Sequence, residues 1–240
     1  MNTVSASRAD APSAPAAAGT VLVWDLPVRV FHWLMVGCFA LAWITAESER
    51  WRLLHVTLGY TMGGLVAFRI LWGLVGTRHA RFASFVRGPS KVIAYLRSLP
   101  GPRPEHHAGH NPAGAWAIVA LLLLSVGIVG SGWATYNDVG GDWLAEVHES
   151  AASIMLAMVF VHVAAVILSS WLHHENLVRS MITGRKNIDP AEGVRSAWRS
   201  VAALMIAAVL GFWWLQWQSA PDPADAQAIT ATQKYDDDHD

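Results

Sequence analysis

The chain has 240 residues, 53% hydrophobic and 15% charged, with 13 Trp and a formal net charge of −1. Soluble domains carry about a quarter charged residues, so the composition excludes an ordinary soluble globule and points to an all-α integral membrane protein. The single Cys38 excludes intrachain disulfides, a multi-cysteine zinc site and an iron–sulfur cluster held by this chain alone, and no feature of the charge balance calls for a nucleic acid.

Residues 1–19 are an Ala/Ser/Pro tail with Arg8 and Asp10; lacking the continuous apolar run of a signal peptide, they read as a disordered tail. Trp24-Asp25-Leu26-Pro27 is an interfacial entry with proline placed to start a helix, and the first span covers about 28–44. A polar turn, Glu47-Ser48-Glu49-Arg50, leads to the second span, about 53–75, with His55 at its start and Arg69 well inside. Gly59 and Gly63 form a G-x-x-x-G there, which permits close approach of a helix or a flat ligand; helix packing is the commoner use. Residues 76–112 are a basic connection with six Lys and Arg against Glu105. Within it, 89–99 places Val92, Ile93, Leu96 and Leu99 on one side of an amphipathic surface helix. The third span, about 113–133, carries no charge. After an acidic loop with Asp138, Asp142 and Glu146, the fourth span, about 145–172, holds His148 and His162. A basic linker from 188 leads to a fifth, Trp-capped span at about 201–217, and an acidic tail covers 218–240.

Orientation follows from the basic residues, which collect on the cytoplasmic side. With the N-terminus inside, inner segments hold 13 of the 17 Lys and Arg, and outer segments hold 12 of the 18 acids. The expectation is a bacterial inner-membrane protein with a cytoplasmic N-terminus and a periplasmic C-terminus. Depth then pairs the histidines. His148 and His162 are 14 residues apart, so they share a helix face with about 21 Å between them along the axis. His55 and His148 fall at the outer level, and His32 and His162 at the inner one. Neutral imidazoles from facing helices can fill both axial positions of a haem iron, and bundles build cofactor sites in this way. No C-x-x-C-H occurs, so any haem here lacks thioether links. A zinc or copper site needs several ligands converging at one point, which this spread disfavours. Arg69, 14 residues after His55, lies at the inner level, and a buried arginine needs an anion, such as a haem propionate, or a quinone oxygen. Arg29, one turn before His32, reads first as interfacial. His79, His106, His107, His110, His173, His174 and His239 lie in loops or at helix ends and read mostly as solvated.

The run Trp24-Asp25-x-x-x-Arg29-x-Phe31-His32-Trp33 resembles the opening of prokaryotic cytochrome b561 proteins and hydrogenase-type cytochrome b subunits. His55, the His148/His162 pair, Gly109-His110-Asn111-Pro112 and the run from Glu175 to Lys186 resemble that family too, over about 20–187. The resemblance implies a four-helix transmembrane bundle binding two b haems, with the fifth helix outside the shared core. It implies His32, His55, His148 and His162 as axial iron ligands, with Arg69 and Arg29 among the cofactor-binding residues. It further implies electron transfer between the quinone pool and a redox partner, a periplasmic c-type cytochrome or a hydrogenase-like subunit. A stand-alone quinone reductase or superoxide oxidase, and a haem-free membrane anchor for a redox enzyme, are the alternatives; an electron-transfer subunit fits better than an independent enzyme.

Overall fold

The computed structural model describes residues 19–99, 101 and 107–220. The expected tail up to residue 18, the acidic tail beyond residue 220, and His106 and His239 lie outside the described residues. In chain order the elements are β1 (Gly19–Leu22), α1 (Leu26–Thr45), α2 (Arg52–Val75), α3 (Phe82–Phe85), α4 (Pro89–Ser98), α5 (Pro112–Tyr136), α6 (Trp143–Leu172), α7 (Leu177–Thr183), β2 (Arg185–Ile188) and α8 (Arg199–Gln218). Among the described residues five helices, α1, α2, α5, α6 and α8, are long and apolar enough to cross a membrane.

Helix starts are set by local chemistry. Asp25 caps α1 by accepting the Val28 N–H at 2.9 Å, with Pro27 in the first turn. Asn111 caps α5 by accepting the Gly114 N–H at 2.7 Å ahead of Pro112. Both caps satisfy an amide that the helix itself leaves open. β1 pairs antiparallel with β2, Gly19 opposite Ile188, so the segment entering α1 is zipped to the segment leaving α7. Gly184, at φ +80°, ends α7 and presents its carbonyl to the Val23 and Trp24 amides. This ribbon marks one end of the bundle, from which α1 and α5 rise and to which α2 and α6 return.

α1 packs along α2, α2 along α5 and α5 along α6, while α8 lies against α1 and α2. Helices in lipid associate through close packing and polar contacts, since burial from lipid gains little hydrophobic energy. Small residues serve that here. A Cβ at Gly63 would stand 2.9 Å from Val129, so this half of the G-x-x-x-G seats α2 on α5. Cys38, Ala42, Leu58 and Met62 pack together with Trp213 of α8, whose Nε1–H donates to Thr61 Oγ1 at 2.8 Å. α6 is different. Of its 30 residues only Met155 is buried, and it has no extensive packing with α1 or α2.

The short helix α4 departs from the expected apolar side. Tyr95 is its buried residue and Val92 and Leu99 are half-buried, whereas Ile93 and Leu96 are each 50% exposed. Residues 92, 95 and 99 follow the i, i+3, i+7 spacing of one helix face, and tyrosine supplies the apolar body in its middle.

Candidate functional site

The end far from the ribbon brings His55 and His148 together. Their ring centres are 6.1 Å apart with planes inclined at 72°. Each ring is fixed by a carbonyl of the adjacent helix. His55 Nδ1 donates to Ala42 O of α1 at 2.9 Å, and His148 Nδ1 donates to Ile128 O of α5 at 2.9 Å. A carbonyl only accepts, so the proton sits on Nδ1 in both rings and each Nε2 keeps its lone pair. The two carbonyls are matched further. Thr45 Oγ1 donates to Leu41 O at 2.8 Å and lies 3.2 Å from Ala42 O, and Ser131 Oγ donates to Gly127 O at 2.7 Å and lies 3.2 Å from Ile128 O. Such a carbonyl bond to the far nitrogen is how metal-ligating histidines are oriented.

Glycines stand beside the pair on α2 and α5. Gly59 follows His55 by four residues, about 40° round α2, and a Cβ there would meet nothing within 4 Å. On α5, Gly132 makes room for His148, since a Cβ would stand 2.7 Å from Cε1 and 2.8 Å from Nδ1. Two imidazoles bound to one metal through nitrogens at about 2 Å set their ring centres roughly 6 Å apart. The far-end pair, its fixed tautomers and the glycines beside it fit a bis-imidazole haem. Among the described residues no three His, Cys, Asp or Glu side chains converge into a metal cluster.

At the ribbon end His32 and His162 lie within electrostatic reach of each other, and His32 Nδ1 is buried without a hydrogen-bond partner. Arg69 is buried, 3% exposed, with its Cζ 4.8 Å from the Phe82 ring centre and Nη1 unpartnered. Arg29 Nη2 donates to Ile182 O, and its Nε is buried and unpartnered. A membrane-depth arginine costs on the order of 3 kcal/mol. Asp25 is near enough to act on both arginines but is otherwise engaged: Val28 N–H bonds Oδ1, while Trp72 Nε1 and Thr77 Oγ1 donate to Oδ2 at 3.0 and 2.6 Å. It therefore ties α1, α2 and the following loop together rather than pairing with arginine.

Several residues here read differently in the sequence. His110 is not a solvated loop histidine. Its ring lies 4.5 Å from Trp24 and 4.7 Å from Phe85, and Nδ1 is buried. Burial pushes its imidazole down to about 3, helped by the charges of Arg69, Lys186, His79 and His162, so it is neutral at pH 7. His79 is also engaged, its Nε2 donating to Glu192 O at 2.8 Å. Lys186 is buried, paired with Glu175 at 3.1 Å. The available signal was Asn111-Pro112, a helix start that fixes the loop at the bundle's edge.

The prokaryotic cytochrome b561 family matches residues 23–184, which contain all four paired histidines. The chain is similar to the "Probable Ni/Fe-hydrogenase 1 B-type cytochrome subunit" of Escherichia coli (strain K12), at 28% identity over 142 residues. That match covers 48% of this chain and 60% of the relative's length. It is also similar to the "Probable Ni/Fe-hydrogenase B-type cytochrome subunit" of Bradyrhizobium diazoefficiens, 23% identical over 212 residues, covering 70% of this chain and 86% of that one. The subunit of the same name from Cupriavidus necator is 23% identical over 207 residues, covering 68% and 85%. No solved structure matches the chain. A helical membrane bundle with opposed histidines, matched over most of its length, makes this a multi-pass b-type cytochrome that belongs to the prokaryotic cytochrome b561 family.

Proposed function

We propose that the chain passes electrons through two haems b, each held by two histidines, between the quinone pool and a redox partner protein. The observation that carries this reading is the His55–His148 pair, two imidazoles 6.1 Å apart with both Nδ1–H groups tied to backbone carbonyls. Haem b supplies one-electron exchange at iron. His55 and His148 would hold one such group, and the carbonyls of Ala42 and Ile128 keep their Nε2 lone pairs available. His32 and His162 would hold the second. Two histidines offered to each haem would supply its iron with two imidazole nitrogens, a donor set that favours electron transfer over oxygen chemistry at iron. α6 serves both sites, its histidines about 21 Å apart along the axis, and the width of each porphyrin shortens the interval.

The basic-residue distribution supports an inner-membrane orientation with the ribbon end cytoplasmic, so that His55 and His148 lie on the periplasmic side. The names of the relatives support a hydrogenase-like partner. The acidic character of the outer segments also suits a basic c-type cytochrome, since complementary charge steers docking.

The test is a haem-to-protein ratio with a reduced-minus-oxidised spectrum on the purified full chain. Two low-spin b haems per chain are expected. His55→Ala and His148→Ala should each remove the same haem, and His32→Ala and His162→Ala the other. Loss of different haems within either pair overturns the ligand assignment.

A further inference from the structure

Beside His32 and His162 the ribbon end holds a cluster of buried nitrogens without hydrogen-bond partners. His110 sits between Trp24 and Phe85, and Phe85 in turn packs against Phe82 at 5.8 Å. Phe82 lies under the Arg69 guanidinium and fills the place a Cβ of Gly73 would take. One aromatic wall therefore joins Arg69 on α2 to His110 at the start of α5. Arg69 Nη1 and His110 Nδ1 are both buried without a hydrogen-bond partner. The nearby carboxylates are committed elsewhere: Asp25 accepts from Val28, Trp72 and Thr77, and Glu175 pairs with Lys186. Unsatisfied buried donors are costly, and a buried charge more so. Together a guanidinium and a neutral imidazole N–H suit a carboxylate, through charge-assisted hydrogen bonds.

We propose that His110 and Arg69 together form a carboxylate seat for a propionate of the haem ligated by His32 and His162. Arg69 supplies the charge, and His110, as its Nδ1–H tautomer, supplies a neutral donor. A neutral donor suits this pocket because Arg69 and Lys186 already place two cations near it, and burial keeps His110 uncharged. The inference rests on the two-haem reading above.

The test is potentiometric titration of the full chain in lipid nanodiscs, with resonance Raman of the propionate-bending band. Removing a donor leaves the propionate's negative charge less compensated, which favours ferric iron. Arg69→Gln should shift the oxidation equilibrium of one haem about tenfold, equivalent to 59 mV towards lower potential for a one-electron couple. His110→Leu should shift the same haem in the same direction by less, and His110→Gln, which keeps an N–H, should stay close to the parent. The haem that moves should be the one lost in His32→Ala and His162→Ala, and its Raman band should move with it. If His110→Leu does not fold, Arg69→Lys beside Arg69→Gln carries the test, since only the lysine retains the charge. Unchanged potential and Raman band, or movement of the His55/His148 haem instead, overturns the proposal. So does a shift that vanishes when anionic lipid is exchanged for zwitterionic lipid, which assigns the seat to a net-anionic lipid headgroup. If His32→Ala and His162→Ala remove different haems, the ligand reading itself fails and takes this proposal with it; if they remove one haem that His110 and Arg69 variants leave untouched, only the seat fails.

Discussion

Replacing Gly132 by alanine tests the far-end site with the smallest possible change. The added Cβ would stand 2.7 Å from His148 Cε1 and 2.8 Å from Nδ1, inside van der Waals contact, so the ring must tilt or move away from α5. Either movement strains its 2.9 Å bond to Ile128 O, which fixes both tautomer and aim. Disturbing an outer-shell partner of a ligating histidine typically costs 10–100-fold in affinity, here about 1.4–2.8 kcal/mol. Helix propensity runs the other way, since alanine is better than glycine by about 1 kcal/mol, so a general loss of fold is not the expected cause. Gly130→Ala on the same helix is the control, because a Cβ there meets nothing within 4 Å. The assay is haem content and spectrum after purification and dilution. Gly132→Ala should lose the His55/His148 haem preferentially while Gly130→Ala retains both. Equal retention in the two variants, or preferential loss of the other haem, would refute the argument that close approach of α5 positions His148.

Three further outcomes follow from the same geometry. The 72° angle between the His55 and His148 planes predicts a strongly anisotropic low-spin EPR signal from that haem; a rhombic signal of near-parallel planes would contradict it. Asp25→Asn replaces a carboxylate accepting three donors with a side chain having one acceptor oxygen, and should cost roughly 1.5–3 kcal/mol, read as a lowered thermal midpoint in detergent. Lys186→Met should destabilise by roughly 1.5–3 kcal/mol by removing a charge-assisted hydrogen bond to Glu175, whereas Lys186→Met with Glu175→Leu should recover part of it. Thermal midpoints of the two variants and the double decide this, and additive losses would show that the pair is not coupled.

The five spans were legible because uncharged apolar runs of helical length have few other uses, and the histidine levels because alternating helices reverse depth. Sequence spacing brought His55 to the level of His148, and the ring contact is there in the structure. The supports of that pair were not legible. Ala42 and Ile128 act through backbone carbonyls, which leave no trace in side-chain identity, and Gly132 matters only by what it lacks. His110 was misread for a different reason. Loop position argued for solvent, but Trp24 and Phe85 of α3 close over it from two separate segments, a convergence no local pattern reports. The burial of Lys186 against Glu175 was likewise not legible, because a charge count cannot tell a surface lysine from a buried one.

The two ends of the bundle consequently differ in how they are held. At the far end both histidines are positioned by helices already packed in series, α1 on α2 and α5 on α6, and each ring has its hydrogen bond. At the ribbon end His32, Arg69 and His110 bring buried polar atoms with no protein acceptor, and their surroundings come from α1, α2, α3, the loop before α5, and β2. Unsatisfied buried groups are tolerated where something else satisfies them. The far end is thus organised by the polypeptide itself, while at the ribbon end the proposed haem would supply the partners these nitrogens lack. Loss of haem should therefore loosen the ribbon end more than the far end. Amide hydrogen exchange on haem-depleted protein would read this as lost protection at 107–111 and in the β1–β2 ribbon, with the α1–α2 core around Cys38 and Leu58 retained.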